Sequence, residues 1–466
     1  MALRKNPFLL LFILVCANVA GRAQSTDSSY VDYLDQFRDY YKTRIMDDGN
    51  VQQIVDSFAR NHLVTNERFA ELTRALYSTQ KNIGILLYFY KNGVLRRTFF
   101  EPGKLLSDDR ILITEKELID LGRQMEEALR IPSLGAGRAP VPRGISKDSS
   151  SSRPVALAPI IARWTSLLLP PAFSEKYRHL IVIPALNIGS VPFHLLQPYH
   201  NGSYLIEKCS YTIAPTLIDF AGLRSQVLQV LGSNFTGLKN FDSAVVNNHI
   251  TDPSKVHFTI ERAVLVGNPA YPTDSPYVYP DLPGAAREVD SAAKLLAGAR
   301  TFKGRRANKQ AILNALNGAD IAYFATHGVS SSSFRADDSY LVLSGPDPYL
   351  RTYEIMDQRR RPGYKAPELV ILSACQTGLG AAVAAGIAGS IARGFIVGGS
   401  RHVVMSLWSV DDEATAYLMG RFLFYLQHCE SFRPSEHLRQ AALDTKAKYP
   451  NPVYWAGFSF FGVDYD

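Results

Sequence analysis

The chain has 466 residues, of which 46% are hydrophobic and 20% charged, enough apolar material for a large core and for two or three structural units. Its formal charge of +7 is spread along the chain, with no long Lys/Arg run and no basic stripe interleaved with aromatics, which argues against a nucleic-acid partner. Four cysteines in a chain this long exclude a disulfide-stapled scaffold, and none has the spacing of a zinc site. The chemistry expected below calls for neither a metal nor an organic cofactor.

Residues 1–23 read as a targeting segment. Arg4 and Lys5 precede an apolar run from Phe8 to Ala20, and Gly21-Arg22-Ala23 offers small residues at the recognition positions, predicting cleavage after Ala23. The run of about 13 residues is too short for a membrane span, which needs roughly 20. Cys16 lies inside it, but Val15 before it is bulkier than lipid-attachment sites prefer. The mature chain is expected to be exported, to a periplasm or to the outside. It keeps Cys209, Cys375 and Cys429, an odd number. Cys429 follows His428 directly, as at a helix end, because adjacent helical residues point about 100° apart.

Residues 24–80 are helical in pattern. "YVDYLDQFRDYY" and "NERFAELTRALY" place apolar or aromatic residues three and four apart, without a 34-residue repeat. From Ile83 the period changes: "IGILLYFYKNGVLRRTFF" holds two β-rich runs around Asn92-Gly93, a strong hairpin signal. A helix follows in "TEKELIDLGRQMEEALR". Residues 133–154 are rich in Gly, Pro and Ser and read as an exposed loop. The helix "IARWTSLLLP" and the strand "HLIVIPA" complete a unit spanning 81–255.

Residues 256–466 alternate strands and helices. "RAVLVGNP", "DIAYFATHG", "LVILSAC" and "RHVVMSLW" are apolar strands; "GAAREVDSAAKLLAG", "NKQAILNALNG" and "EATAYLMGRFLFYLQ" are helices. Continuously apolar strands between helices predict an α/β fold, a mainly parallel sheet covered on both faces. The preceding unit is then a smaller α+β subdomain behind a short helical N-terminal region.

Ligands of open parallel sheets bind outside the carboxyl ends of the strands. His327 ends one such strand, Cys375 the next, and Asp411 and Asp412 lie past a third. If the first two strands are neighbours, about 4.8 Å apart, imidazole and thiol face one another. A thiolate is the nucleophile, and a nearby imidazole stabilises it and protonates the leaving amine. The backbone N–H groups of Gly328 and Cys375 would donate to an oxyanion. The bland alternative is that Cys375 is a small core residue and His327 a turn residue.

"AYFATHG", "LVILSACQTGLG", "ARGFIVGGSRHVVMSLWSVDDEATAYLMGRF" and "YPNPVYWAGFSFFG" resemble the CHAT domain, a caspase-like cysteine peptidase family related to separases. "SLLLPP", "HLIVIPALNIGSVPFHLL", "YLIEKCSYTIAPTL" and "LPGAAREVDSAAKLL" extend the likeness upstream, from about Ile83 to Phe461. The resemblance implies a caspase-like fold and assigns His327 and Cys375 to the catalytic dyad. Gln376 stands where the family commonly has Glu, and the tandem helical repeats that often precede such domains are absent or reduced here. Separases carry an acidic segment at the place of Asp411 and Asp412 and cleave after Arg, which implies a basic preference. The competing role of "LWSVDDEAT" is a helix start, with Ser409 or Asp411 as cap.

Three further stretches carry expectations. Arg359, Arg360 and Arg361 lie in the connection between the His and Cys strands, a solvated loop by default and otherwise a point of self-cleavage. "GAAVAAGIAGSIARGF" is expected to pack tightly on the sheet behind Cys375, with its N-terminus lowering the thiol pKa. His402 opens a strand at the end opposite the crevice and reads as structural. The leading expectation is an exported cysteine endopeptidase with a protein or peptide substrate and a possible activating partner protein. Its rivals are a silent CHAT-like scaffold and a thiol hydrolase of small substrates.

Overall fold

The computed structural model describes residues 65–77, 82–129, 141–142, 156–217, 219–220, 223–224, 259–275, 277–329, 339–374, 390–408, 411–428 and 432–464. The targeting segment and the first N-terminal helical pattern therefore lie outside the described residues, as do Cys375, Cys429, Ser409 and most of the small-residue stretch.

The helix Asn66–Leu76 leads into three antiparallel strands, β1 (Ile83–Lys91), β2 (Val94–Glu101) and β3 (Lys104–Leu112). Asn92 and Gly93 take φ of +50° and +79°, the paired left-handed geometry that a two-residue hairpin needs. The strand β3, "KLLSDDRIL", was not expected from its polar composition. It forms because Arg96 and Arg97 on β2 are buried and find their carboxylates there, Arg96 on Asp108 and Arg97 on Asp109. The predicted helix Glu115–Leu129 opens on a capping box. Glu117 Oε2 accepts from the Thr114 N–H at 2.7 Å, and Thr114 Oγ1 accepts from the Glu117 N–H at 3.2 Å.

Part of the 133–154 stretch is a two-residue strand, β4 (Val141–Pro142). The helix Leu157–Leu168, β5 (His179–Ile183) and β6 (Ser210–Ile213) follow. Then come β7 (Ala263–Pro269), β8 (Tyr277–Val278), the helix Pro283–Leu295, β9 (Arg300–Gly304), the helix Lys309–Leu316 and β10 (Ile321–Ala325). Short strands β11 (Gly328–Val329), β12 (Tyr340–Val342) and β13 (Tyr349–Arg351) lead to the helix Thr352–Asp357 and β14 (Leu369–Leu372). The chain continues through the helix Ile391–Gly398, β15 (His402–Ser406), the helices Asp412–His428, Pro434–Lys448 and Pro452–Trp455, and β16 (Phe458–Gly462).

Eleven strands form one sheet in the order β3-β2-β1-β5-β6-β16-β15-β14-β10-β7-β9. From β15 to β9 every pairing is parallel; β16 is antiparallel to β15 and parallel to β6. The two expected units thus share a single sheet, joined at β16. Helices cover both faces, as adjacent residues of β10 show. Tyr323 donates to the carboxylate of Glu288 on the helix Pro283–Leu295, whereas the Phe324 ring lies 5.6 Å from that of Phe395 on the helix Ile391–Gly398. Neighbouring strand residues point to opposite faces, so these helices flank the sheet.

The seam between the halves has one registered backbone pair, Phe461 with Ile213. Side chains reinforce it: Tyr211 Oη lies 2.7 Å from Ser459 Oγ, Arg224 donates to the Asp464 carbonyl at 2.9 Å, and Arg439 to the Ile206 carbonyl at 2.8 Å. Arg393 is buried in an ion pair with Asp219 across this seam.

Candidate active site

The strands β10 and β14 are parallel neighbours with Phe324 beside Leu372. His327 lies three residues beyond Phe324, and Cys375 three beyond Leu372. On the other side of β14, β15 sets Met405 beside Leu372, and its continuation leads to Asp411. The expected order of strand ends is present in the backbone. The path toward the thiol is described as far as Ala374, whose carbonyl accepts from Ser406 Oγ at 3.1 Å.

His327 is fully buried. Its Nε2 lies 2.7 Å from the Pro280 carbonyl oxygen. A carbonyl only accepts, so Nε2 carries the proton, and in the neutral ring Nδ1 is the lone-pair nitrogen. The ring is also held edge-on by Tyr271, centroid to centroid 4.6 Å, and lies 5.5 Å from the Tyr279 ring. Thr326 Oγ1 donates to the Val342 carbonyl at 2.6 Å, and the Val342 N–H donates to the His327 carbonyl at 2.9 Å, fixing the backbone on both sides of the residue.

That ladder bears on Gly328. Gly328 pairs with Leu341, next to the hydrogen-bonded His327–Val342 pair. Successive residues of an antiparallel strand direct their N–H groups to alternate sides. The Gly328 N–H is therefore turned away from β12.

The segment from Ala270 to Asp281 forms the wall beside His327, and sequence reasoning missed it. Its tyrosines interlock: Tyr279 Oη lies 3.3 Å from Tyr340 Oη, and Tyr349 Oη donates to Ser275 Oγ at 3.0 Å. The available signal was "NPAYPTDSPYVYP", a run of tyrosines and prolines directly after a predicted strand end. Within it, β8 pairs antiparallel with β4, so part of the loop expected to be exposed is tied to the rim of the site.

The two candidate pocket carboxylates differ. Asp411 caps its helix, its Oδ1 accepting from the Glu413 and Ala414 N–H groups at 3.0 Å each. Asp412 is exposed, and its carboxylate lies over Gly284, where a Cβ would fall 1.5 Å from Oδ2. Gly284 is the second residue of the helix Pro283–Leu295, so Asp412 packs over that helix start, which follows the Pro280 loop.

Other candidates occupy the roles their surroundings allow. His402 opens β15, fully buried, with Nε2 3.2 Å from Glu368 Oε1. Arg359–Arg361 form an exposed turn, with Arg359 donating to the Val397 carbonyl at 3.2 Å and Arg360 paired to Asp357 at 3.2 Å. His428 is the last residue of its helix and donates through Nδ1 to the Phe424 carbonyl at 2.9 Å. Cys209 is buried, and burial pushes its thiol far above the ordinary range, so it is no nucleophile. Among the described residues no His, Cys, Asp and Glu cluster could hold a metal ion, and no helix is long and apolar enough to cross a membrane.

Comparison with known proteins agrees with the fold. The yeast (Saccharomyces cerevisiae) separase–securin complex contains a chain that superposes with a TM-score of 0.51 at 12% identity, covering 95% of this chain and 34% of the other. Mouse (Mus musculus) tetratricopeptide repeat protein 28 is 26% identical over 371 residues, 68% of this chain. The human (Homo sapiens) protein of the same name is 22% identical over 329 residues, 62% of this chain. This chain spans only 14% of the mouse relative and 12% of the human one. A family model, the CHAT domain, matches residues 156–463. With that match over most of its length and a caspase-like sheet, the chain belongs to the CHAT domain family and has a cysteine-peptidase-like fold.

Proposed function

We propose that this protein is a cysteine endopeptidase in which His327 is the base and Cys375 the nucleophile. The observation that carries the reading is the pair of adjacent parallel strands ending in register, one at His327 with its tautomer set by the Pro280 carbonyl. In the step this arrangement suits, the Cys375 thiol gives its proton to His327 Nδ1, and the thiolate attacks the scissile carbonyl carbon. The Gly328 and Cys375 N–H groups hold the resulting oxyanion. Collapse breaks the C–N bond, His327 returns the proton to the leaving amine, and a thioester remains. Water, deprotonated by the same nitrogen, then hydrolyses the thioester and frees the thiol.

Asp412, exposed at the crevice, would take an Arg or Lys side chain before the scissile bond by a charge-assisted contact. Export after cleavage at Ala23 belongs to the same reading, and N-terminal sequencing of the secreted chain tests it: Gln24 first supports it, an intact Met1 overturns it. The decisive experiment compares wild type with Cys375→Ala on a peptide library. Cleavage by wild type alone, after basic residues, supports the endopeptidase; equal inactivity under all conditions refutes it.

One observation favours a second reading, in which the site is kept silent until a partner protein binds. His327 is fully buried behind the tyrosine wall, so a substrate needs that wall to open. The separase neighbour was solved in complex with securin, and the mammalian relatives are named for tetratricopeptide repeats; a regulatory protein partner is the corresponding proposal here.

A further inference from the structure

The tyrosine wall has a foot as well as a top. At the top, Tyr340 and Tyr349 hold Tyr279 and Ser275. At the foot, a single side chain spans the loop. Asn268 sits at the end of β7, where the ladder to β9 skips from Gly267 to Pro269. It is bulged out with φ of +45°, a left-handed conformation that Asn tolerates better than most residues. The side chain so released reaches the far end of the loop. Its Nδ2 donates to Asp281 Oδ1 at 2.9 Å, and its Oδ1 accepts from the Leu282 N–H at 2.8 Å.

Those two residues directly follow Pro280. The carbonyl that receives His327 Nε2–H belongs to the peptide joining Pro280 to Asp281, and Asn268 holds the Asp281 side chain and the next N–H, directly on its C-terminal side. Leu282 is also the N-cap of the helix Pro283–Leu295, which lies so close to β7 that a Cβ on Gly267 would fall 2.4 Å from Val289 Cγ2. The helix cannot shift toward the strand, and the loop end is therefore located by helix and Asn268 together.

We propose that Asn268 is a positioning residue for His327: it fixes the Pro280 carbonyl, and through it the imidazole tautomer that leaves Nδ1 as the base. The inference rests on His327 being the base of the proposed reaction, but its primary readout does not require peptide cleavage. A side chain that merely stabilised the loop would affect melting without changing which ring nitrogen carries the proton.

The test uses the full chain, its imidazole nitrogens observed by 15N NMR with His327 assigned by loss of its signals in His327→Gln. Wild type is expected to show the Nε2–H form. In Asn268→Asp, two carboxylates face each other across the foot. The Nε2–H form should then lose population, and alkylation of Cys375 by iodoacetamide at neutral pH should slow by about three- to tenfold, the scale of one hydrogen bond. In the reciprocal double variant Asn268→Asp/Asp281→Asn the donor and acceptor are exchanged, and both readouts should return toward wild type. Asn268→Gly, which relieves the positive φ and removes both bonds, should reproduce the defect if the Asp variant does not fold. An unchanged tautomer in the single variants, or no recovery in the double variant, overturns the proposal. Alkylation that is indifferent to His327→Gln would instead sink the peptidase reading, and the tautomer result would still decide the role of Asn268.

Discussion

Arg393 Nε and Asp219 Oδ2 lie 2.9 Å apart in a buried ion pair that joins the two halves of the sheet. Asp219 is itself prepared for this, since Thr216 Oγ1 donates to the same oxygen at 2.8 Å. Removing one member leaves an uncompensated buried charge, at a cost of about 3–5 kcal/mol. Arg393→Met is therefore expected to lower the melting temperature sharply. The double variant Arg393→Met/Asp219→Leu should recover much of the loss; a double variant as unstable as the single one would show that the bond, not the stranded charge, matters.

Acid should destabilise the fold through buried histidines. Burial lowers the His194 pKa from 6.5 to about 3, with the nearby Arg439 charge adding to it. The folded chain thus resists a proton that the unfolded chain accepts, so stability falls as pH drops below about 6.5 and continues to fall toward about 3. The slope contributed is up to about 1.4 kcal/mol per pH unit. His194→Phe, which keeps an aromatic ring against Tyr211, should flatten the dependence of melting temperature on pH between 6.5 and 4; an unchanged slope would remove His194 as its source.

A second acid-sensitive site has two windows. Burial lowers the His402 pKa and outweighs the opposing effect of Glu368, so protonation of His402 again costs stability below about 6.5. For Glu368, burial alone would raise the pKa. Hydrogen bonds and charges from His402 and Arg401 override it and hold the carboxyl at about 2. Its stabilisation is present above the unfolded carboxylate pKa of 4.5 and fades as pH falls from there toward 2. Glu368→Gln should lose stability at pH 7 and show a smaller further loss between pH 4.5 and 3 than wild type.

Asp411 and Asp412 are separable by their contacts. Asp411→Asn keeps the helix cap and should change neither stability nor cleavage preference, whereas Asp411→Ala should cost about 1 kcal/mol. Asp412→Ala should weaken cleavage after Arg relative to uncharged residues. Equal effects of the two alanine variants on preference would remove Asp412 from the pocket.

Gly284→Ala tests the same carboxylate without touching it. The new methyl would occupy the place of the Asp412 oxygens. The Asp412 side chain must then swing away, so the variant should lose basic preference. A large drop in melting temperature with preference retained would contradict this.

The parts of the fold legible in the sequence were those governed by local chemistry. Asn92-Gly93 announced a hairpin because few other pairs accept two left-handed residues, and the strands around His327 announced a parallel sheet because they are apolar on both faces. The order of strand ends followed from that. What could not be read was set by partners distant in the chain. The polar β3 exists because Arg96 and Arg97 require it. Arg393 and Arg224 find their acceptors only across the seam, at residues far away in the chain. The Pro280 carbonyl, a backbone atom, has no sequence signature at all.

The position of β16 has a consequence for biogenesis. It follows every other strand in chain order yet lies between β6 and β15, in the middle of the sheet. During synthesis both halves emerge first, each with an apolar, unpaired strand edge where β16 belongs. Until Phe458–Gly462 leaves the ribosome, these edges are open to wrong partners, including each other and neighbouring nascent chains. A ribosome stalled shortly before this segment therefore holds a chain whose two halves still lack the strand that pairs with both.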